Sequence, residues 1–146
     1  MKKIMIISIA VITVFGKSAF SQNQVDSLKI IETSLNYIEG WYAGDTIRMD
    51  KALHSDLVKR RASLFPFTGN SFVESLSKSA MMEYTKAGFG TKTPKETIKN
   101  EVVVLDIFGN IANVKIISTE FIDYLQLVKW NGEWKIINVL WDIRKK

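Results

Sequence analysis

The sequence contains no cysteine, one histidine and two prolines among its 146 residues. Without cysteine it can form no disulfide bond, thiolate metal site, cysteine nucleophile or lipid-modified cysteine anchor. Its single histidine, His54, has no second histidine at a metal-binding spacing, which argues against a zinc site. We therefore expect a protein that works without a metal and without a cofactor.

Extended basic clusters are also lacking, although the formal net charge is +5. The basic runs are limited to "KRR" at residues 59–61 and "RKK" at the C-terminus. Short runs of this kind are typical of a solvated surface, whereas nucleic-acid and anionic-membrane partners require a clustered basic surface. We therefore expect neither nucleic acid nor a membrane as a partner of the folded domain.

The longest apolar run lies at the N-terminus and predicts an export signal. "MKK" precedes "IMIISIAVITVFG", and Ala19 and Ser21 fit a small-residue cleavage site. The run is shorter than the roughly 20 residues that cross a bilayer. Residues 1–21 are therefore predicted to be a cleaved signal peptide, and residues 22–146 a single domain in the periplasm or outside the cell. An uncleaved membrane anchor is the alternative.

Apolar side chains spaced by three and four residues predict a helix over Val25–Ala43. Gly44 is expected to end this helix. Asp45 is suited to cap a second, short helix that runs to about Leu53. Trp41 therefore lies in the last turn of the first helix, beside the break.

The segment that follows, residues 56–65, alternates between apolar and charged side chains and predicts a strand. Its apolar face is expected to carry Val58, Ala62 and Leu64. Arg60 falls on the same face and is the exception there.

The rest of the chain predicts one more helix and a β-meander. Ser71 and Glu74 match a capping box, which predicts a helix ending near Ala87. Gly109-Asn110 and Asn131-Gly132 are strong signals for two-residue hairpin turns. Four antiparallel strands are predicted at Thr97–Phe108, Ile111–Ser118, Phe121–Trp130 and Glu133–Ile143. Helices followed by a meander indicate an α+β domain.

Counting outward from the turns places Asp123 and Asn138 on the inner, helix-facing side of the sheet, which is otherwise apolar. The first turn predicts the pairs Ile107–Ala112 and Leu105–Val114, and the last turn predicts Leu127–Ile136, Leu125–Asn138 and Asp123–Leu140. If the middle hairpin also turns in two residues, at Thr119-Glu120, Val114 pairs with Leu125. An ionised carboxylate on a dry face costs several kcal/mol unless it is paired, so we infer a cavity that holds water or ligand. Alternatively, Asp123 bonds backbone amides or pairs with Arg60 for structure alone.

The opposite, outer face of the sheet is also predicted to be rich in apolar side chains. They are Val102, Val104, Ile117, Tyr124, Val128, Ile137, Val139 and Trp141. A sheet with helices on one side exposes its other side, so a large apolar area there predicts a partner. The simplest partner is a second copy, which predicts a homodimer through the outer sheet face.

Two segments carry a resemblance to a known family, "YIEGWYAGDTIRMDKALHSDLVKRR" and "FIDYLQLVKWNGEWKIINVLW". They resemble the exported bacterial proteins named "putative lumazine-binding", in the superfamily of nuclear transport factor 2, ketosteroid isomerase and scytalone dehydratase. The resemblance implies a cone-shaped, cystatin-like α+β barrel. In that fold the N-terminal helices pack in the concave face of a curved antiparallel sheet, with a pocket between them.

Six residues are candidates for ligand binding: Trp41, Tyr42, His54, Arg60, Asp123 and Asn138. The two aromatic residues of the helix end suit stacking on a flat heteroaromatic ring, or plugging of the core. The histidine suits a pocket rim, or a cap or hydrogen bond in the core. The arginine suits a ligand oxygen, or neutralisation of the aspartate.

The leading hypothesis is an exported, dimeric, non-enzymatic domain that binds a small planar or apolar molecule, lumazine-like by resemblance only. A first alternative is a cofactor-free isomerase or dehydratase in which Asp123 or His54 transfers protons. A second alternative is a dimeric scaffold with a closed interior.

Overall fold

A computed structural model describes residues 15–144 of the chain, with side chains from residue 22 onward. Most of the predicted signal peptide lies outside the described residues, and residues 15–21 form the start of the first helix. The helices are α1 (Phe15–Ala43), α2 (Thr46–Ala52) and α3 (Lys78–Lys86), with two 3-10 turns at Gly90–Lys92 and Lys95–Thr97. The strands are β1 (Leu53–Leu64), β2 (Ser71–Ser77), β3 (Glu101–Phe108), β4 (Ile111–Ile117), β5 (Phe121–Trp130) and β6 (Glu133–Ile143).

The six strands form one curved, unclosed sheet in the order β2-β1-β6-β5-β4-β3. The pairing of β1 with β6 is parallel, and all other pairings are antiparallel. The α1 helix packs against the inner face of β3, β4 and β6. This arrangement confirms the predicted α+β class. Among residues 15–144, no helix has the length and apolar character needed to span a membrane.

The corner between α1 and α2 forms as predicted. Gly44 adopts a φ of +66°, a left-handed conformation that glycine accepts without strain, and α1 ends just before it. The Asp45 carboxylate then accepts hydrogen bonds from the backbone N–H groups of Ile47 and Arg48, each at 3.0 Å. These bonds satisfy two of the free donors at the start of α2.

The helix predicted from Ser71 is wrong in its first half. Ser71–Ser77 form β2, which pairs with β1, and Glu74 bonds to Arg61 on β1 instead of capping a helix. The cap of α3 is Ser77, whose hydroxyl accepts a hydrogen bond from the Ala80 N–H. Pairing with a neighbouring strand has overridden a local helix signal here.

The predicted faces of β1 are inverted. Lys59 is buried and Arg61 is half-buried on the inner face, while Arg60 and Ala62 are exposed on the outer face. Two ion pairs explain this reversal, because the inward-facing cations meet Asp123 and Glu74. A buried charge is tolerated when it is paired and hydrogen-bonded.

Two β-bulges alter the predicted strand register. Leu105 is an extra residue in β3, so Val114 pairs with Val104. Ile137 is an extra residue in β6, so Asn138 pairs with Gln126. Compared with the predicted register, which has no bulge, every side chain beyond a bulge therefore points to the opposite face of the sheet.

Because of the two bulges, the residues on each face of the sheet differ from those predicted. Val102, Val104, Val139 and Trp141 were predicted to face outward but belong to, or pack against, the core. The predicted pairs Ile107–Ala112 and Leu127–Ile136, each between a turn and a bulge, are confirmed. The predicted pair Val114–Leu125, in the hairpin without a bulge, is also confirmed.

Candidate functional site

A pocket of about 300 Å³ lies between α1, α3 and the inner face of β1, β2, β5 and β6. We call it the inner pocket. Its lining residues are Tyr37, Ile38, Trp41, Lys59, Arg61, Glu74, Leu76, Met81, Tyr84, Phe89, Phe121 and Trp141. Half of these residues are aromatic, and the charged ones all come from β1 and β2. The volume lies at the lower end of the range for small-molecule sites.

Three aromatic rings form one wall of the inner pocket. Phe121 contacts Trp41 edge-on with 6.4 Å between ring centroids, and it contacts Trp141 edge-on at 5.4 Å. These distances and angles are typical of stabilising aromatic pairs. The wall is therefore a continuous, apolar surface drawn from α1, β5 and β6.

Trp41 is fixed by a close approach of the backbone at Gly90. A Cβ atom at position 90 would lie 2.3 Å from the Trp41 carbonyl oxygen and 2.7 Å from its ring, so only glycine fits there. The indole Nε1 of Trp41 is buried and has no hydrogen-bond partner among the described residues. A buried donor without a partner is costly, and here the close packing of Gly90 covers this N–H.

The floor of the inner pocket carries a cluster of three polar side chains, Tyr37, Lys59 and Asp123. The Lys59 Nζ donates to the Asp123 Oδ1 at 2.8 Å and to the Tyr37 hydroxyl at 2.5 Å. The Tyr37 hydroxyl in turn donates to the same Asp123 Oδ1 at 3.1 Å. Asp123 Oδ2 has no partner in the described part of the chain. Tyr37 and Lys59 line the pocket, while the carboxylate lies behind them.

Burial controls the protonation of this cluster. It lowers the pKa of Lys59 below its ordinary value, although the Asp123 charge and hydrogen bond act against the shift. Burial, together with the Asp123 charge, raises the pKa of Tyr37 well above its ordinary value. The phenol therefore remains a proton donor, while the amine loses part of its preference for the charged form.

The charged part of the pocket wall consists of Arg61 and Glu74. Their side chains form an ion pair with 2.6 Å between Arg61 Nε and Glu74 Oε2. The Arg61 guanidinium also lies 4.6 Å from the centroid of the Trp141 ring, and the Lys59 Nζ lies 4.4 Å from it. Two cations thus stack on a single indole, which is a favourable cation–π arrangement.

The structure places three of the six candidate residues in or next to this region. Trp41 lines the inner pocket, as expected for a ligand-stacking residue. Asp123 faces inward and is fully buried, which confirms its predicted orientation. Tyr42 belongs to the core instead of the pocket lining. Its hydroxyl donates to the Ser118 hydroxyl at 3.1 Å and accepts from the Glu120 N–H at 3.3 Å.

The other three candidates lie away from the inner pocket. His54 is buried, its Nδ1 accepts the Asp56 N–H at 3.1 Å, and its ring contacts Trp130 edge-on. Arg60 and Asn138 lie on the outer face, where Asn138 donates to the Gln126 side-chain oxygen at 3.1 Å. The predicted inward placement of Arg60 and Asn138 is therefore wrong. Arg60 faces outward because its neighbours Lys59 and Arg61 turn inward to form ion pairs, and Asn138 faces outward because of the bulge at Ile137.

The sequence reasoning missed Lys59, Tyr37 and Arg61. The proposed partner of Asp123 was Arg60, but the actual partner is the neighbouring Lys59. The sequence did contain a signal for this pairing. Lys59 and Arg61 lie on one face of the predicted strand, and a buried acid such as Asp123 needs a cation nearby. Within the described residues, no group of histidine, aspartate and glutamate is arranged to hold a metal ion.

Comparison with known proteins places this geometry in a family context. Residues 25–142 match the family described as "Putative lumazine-binding". The sequence matches no functionally curated protein.

Solved structures with a similar fold are distant in sequence. An NTF2-like protein of unknown function from Shewanella baltica has a TM-score of 0.63 at 15% identity, over 84% of this chain and 97% of that chain. An NTF-2-like protein of unknown function from Silicibacter pomeroyi has a TM-score of 0.59 at 17% identity, over 86% and 98%. A protein titled "Putative Scytalone Dehydratase" from Novosphingobium aromaticivorans has a TM-score of 0.55 at 16% identity, over 86% and 89%. At these identities the likeness establishes the fold alone.

Proposed function

The chain belongs to the "Putative lumazine-binding" family within the NTF2-like superfamily, and we propose that it binds a small planar or apolar molecule in the inner pocket. The observation that carries this proposal is the pocket itself. A volume of about 300 Å³, lined by six aromatic side chains with charged groups on one side, suits a compact aromatic ligand.

The polar groups around the pocket suggest which ligand atoms it recognises. The amine of Lys59 and the guanidinium of Arg61 are hydrogen-bond donors in the lining. Both suit acceptor atoms, such as carbonyl oxygens or ring nitrogens. A flat heteroaromatic ring with such acceptors, of which a lumazine is one example, would combine stacking with hydrogen bonds to these donors.

Two features favour binding over the alternatives. The Asp123 carboxylate is engaged by Lys59 and Tyr37 and does not line the pocket, and His54 lies elsewhere, so neither can contact a pocket ligand and transfer a proton to it directly. The size of the inner pocket argues against a scaffold with a filled interior.

Titration of the protein with lumazine and related flat heterocycles, followed by calorimetry, tests the proposal. Two tyrosines of similar exposure provide a matched pair: Tyr84, 39% exposed, lines the inner pocket, and Tyr124, 47% exposed, lies on the outer face. We expect Tyr84→Ala to weaken binding and Tyr124→Ala to leave it unchanged. Equal losses in both variants, or no heat of binding for any aromatic probe, would contradict the proposal.

We further propose that the protein is exported after removal of residues 1–21. The apolar N-terminal run and the small residues Ala19 and Ser21 support this proposal. The intact mass of protein recovered from the periplasm tests it. A mature N-terminus at Gln22 is the expected result, and a full-length chain in the membrane fraction would favour the uncleaved anchor.

We also propose that two copies associate through the outer face. Leu105, Tyr124 and Leu140 are each about half exposed or more on this face, at 52%, 47% and 61%. They form an apolar area beside the polar groups of Arg60 and Asn138. Light scattering at micromolar concentration should give a dimer mass, and Leu140→Lys should give a monomer. A monomeric wild-type protein would refute this assembly.

A further inference from the structure

Lys59 is the one buried lysine among the residues whose side chains are described, and it lines the inner pocket. Its side chain extends from β1 over the Trp141 ring, and its Nζ lies between the Tyr37 hydroxyl and Asp123 Oδ1. The amine of a lysine is ordinarily kept in water, because removing its charge from water is costly. Its presence on the floor of an apolar pocket therefore calls for an explanation.

A purely structural ion pair does not account for the local bonding. A buried structural carboxylate normally uses both oxygens as acceptors, but here Lys59 and Tyr37 bond to Oδ1 while Oδ2 has no partner among the described residues. An apolar replacement of such a pair is often neutral or stabilising, so fold stability alone gives little reason to keep it.

We propose that Lys59 captures a small aromatic aldehyde in the inner pocket as a Schiff base. The inference rests on the proposed binding function and names the ligand class and the bond. The amine is the nucleophile, and the aromatic wall holds the ring of the aldehyde. The buried polar cluster of Tyr37, Lys59 and Asp123 donates and accepts the protons that the reaction moves.

The atoms and charges of this reaction balance within the cluster. The Lys59 ammonium first transfers a proton to Asp123, and its free electron pair then forms a C–N bond to the carbonyl carbon. The carbonyl π bond breaks, and the oxygen takes this proton from Asp123 through the Tyr37 hydroxyl, which gives the hydroxyl of a carbinolamine. The nitrogen, which still carries two protons, returns one to Asp123, and the same route delivers it to the carbinolamine hydroxyl. The C–O bond then breaks, water leaves, and the electron pair of the nitrogen forms the C=N bond. The overall change converts an ammonium and an aldehyde into a protonated imine and one water.

The surroundings of Lys59 suit both the attacking amine at the start of this reaction and the protonated imine that it produces. Burial lowers the pKa of the amine, which favours its nucleophilic form. The positive charge is the same before and after, so Asp123, whose Oδ1 is 2.8 Å from the amine nitrogen, serves as counter-ion to both the ammonium and the imine. The Tyr37 hydroxyl contacts both groups and can pass a proton between them.

Reductive trapping on the wild-type protein tests the proposal directly. The protein is incubated with benzaldehyde or 2-naphthaldehyde at neutral pH, reduced with cyanoborohydride, digested, and mapped by mass spectrometry. Lys51, whose side chain is 61% exposed, is the internal reference for ordinary surface amines. We expect the dominant secondary-amine adduct on Lys59, with Lys51 labelled more slowly although it is far more accessible.

Two variants sharpen the result. Lys59→Arg keeps a cation opposite Asp123 but cannot form an imine, so the dominant adduct should be lost. Lys51→Arg should leave that adduct intact. If Lys59→Arg does not fold, as judged by circular dichroism, the wild-type map decides the question alone.

A ligand without a carbonyl separates this inference from the proposed function. Benzyl alcohol has the same ring and a similar size, and its binding is measured by calorimetry. If it binds in the pocket while labelling of Lys59 does not exceed that of Lys51, covalent capture is overturned and the binding function stands. If neither benzyl alcohol nor any flat heterocycle binds and Lys59 is not labelled, both fail.

Discussion

Two aspartate–lysine pairs of the described residues combine a buried carboxylate with the same 2.8 Å contact, and their surroundings differ. One pair, Asp26 with Lys129, joins the N-terminal part of α1 to the β5–β6 hairpin. The other pair, Asp123 with Lys59, joins β5 to β1 on the floor of the inner pocket.

The carboxylate of Asp26 is fully bonded. Its Oδ1 accepts from Lys129 and from the Trp134 indole N–H at 3.0 Å, and its Oδ2 accepts from Gln22 and Lys129, each at 3.1 Å. Burial acts to raise the pKa of Asp26, but these hydrogen bonds outweigh it and lower the pKa to about 2. This pair is well suited to hold two elements together.

The carboxylate of Asp123 has one oxygen in use and one without a partner in the described chain, and its lysine lines a cavity. The contrast teaches that an ion pair should be judged by the bonds around it. A pair in which every polar atom is hydrogen-bonded stabilises the fold. A pair next to a cavity, with an acceptor oxygen that has no hydrogen-bond partner, is a candidate for chemistry.

The largest expected effect is the loss of Asp123. Asp123→Ala leaves the Lys59 ammonium buried without a counter-ion, which typically costs about 3–5 kcal/mol in the free energy of unfolding. Chemical denaturation at neutral pH measures the change. A loss below about 1 kcal/mol would mean that Lys59 rehydrates through the pocket, and the two pairs would then differ less than we infer.

The control for this prediction removes both charges together. In Lys59→Met combined with Asp123→Leu, no unpaired charge remains, so most of the stability lost in Asp123→Ala should return. The double variant should still lose imine formation with aromatic aldehydes.

A smaller loss is expected at the fully bonded pair. Asp26→Asn removes the charge that Lys129 and Trp134 stabilise, and a pKa shift from 3.8 to about 2 corresponds to about 2 kcal/mol at neutral pH. Lys129 is 23% exposed, so it can regain water once its partner is neutral. The same denaturation experiment measures this loss, and a cost equal to that of Asp123→Ala would break the comparison.

The pH dependence of the Asp26 contribution follows from the direction of its shift. Because its folded pKa is lower than the unfolded value, the stabilisation is complete above the ordinary pKa of 3.8 and declines as the pH falls towards 2. The difference in unfolding free energy between wild type and Asp26→Asn should therefore be largest above about pH 5 and become small near about pH 2. A difference that stays constant over this range would contradict the assignment.

The smallest effect is expected at an exposed pair with the same contact distance. Lys51 and Glu32 are 2.8 Å apart, but each side chain is 61% exposed. Glu32→Gln should change the unfolding free energy by less than about 1 kcal/mol, because water screens the pair. Added salt should reduce even this difference in thermal melts of the two proteins.

Local signals in the sequence predicted much of the fold correctly. The end of α1 at Gly44, the cap at Asp45 and the two hairpin turns depend on nearby residues, and all of them form as expected. Features that depend on distant residues were missed. The β2 strand forms because β1 lies beside it, and nothing within residues 71–77 distinguishes this outcome from a helix.

The candidate site was predicted only in part for a related reason. Asp123 was placed correctly because the middle hairpin has the expected two-residue turn. Asn138 was misplaced because the bulge at Ile137 has no marker such as glycine or proline in the sequence. Lys59 was assigned to solvent because its partner lies 64 residues away in sequence, beyond the reach of any periodicity.

The bulge at Ile137 also affects how such a pocket can change. Side chains alternate along a strand, so this one additional residue directs Trp141 rather than Leu140 towards the pocket. Deletion of the Ile137 codon would remove the bulge, but Asn138 would still pair with Gln126 and Trp141 with Asp123, so the indole would stay in the pocket wall. The strand can therefore lose one residue at this point without any change in the side chains that would contact a ligand.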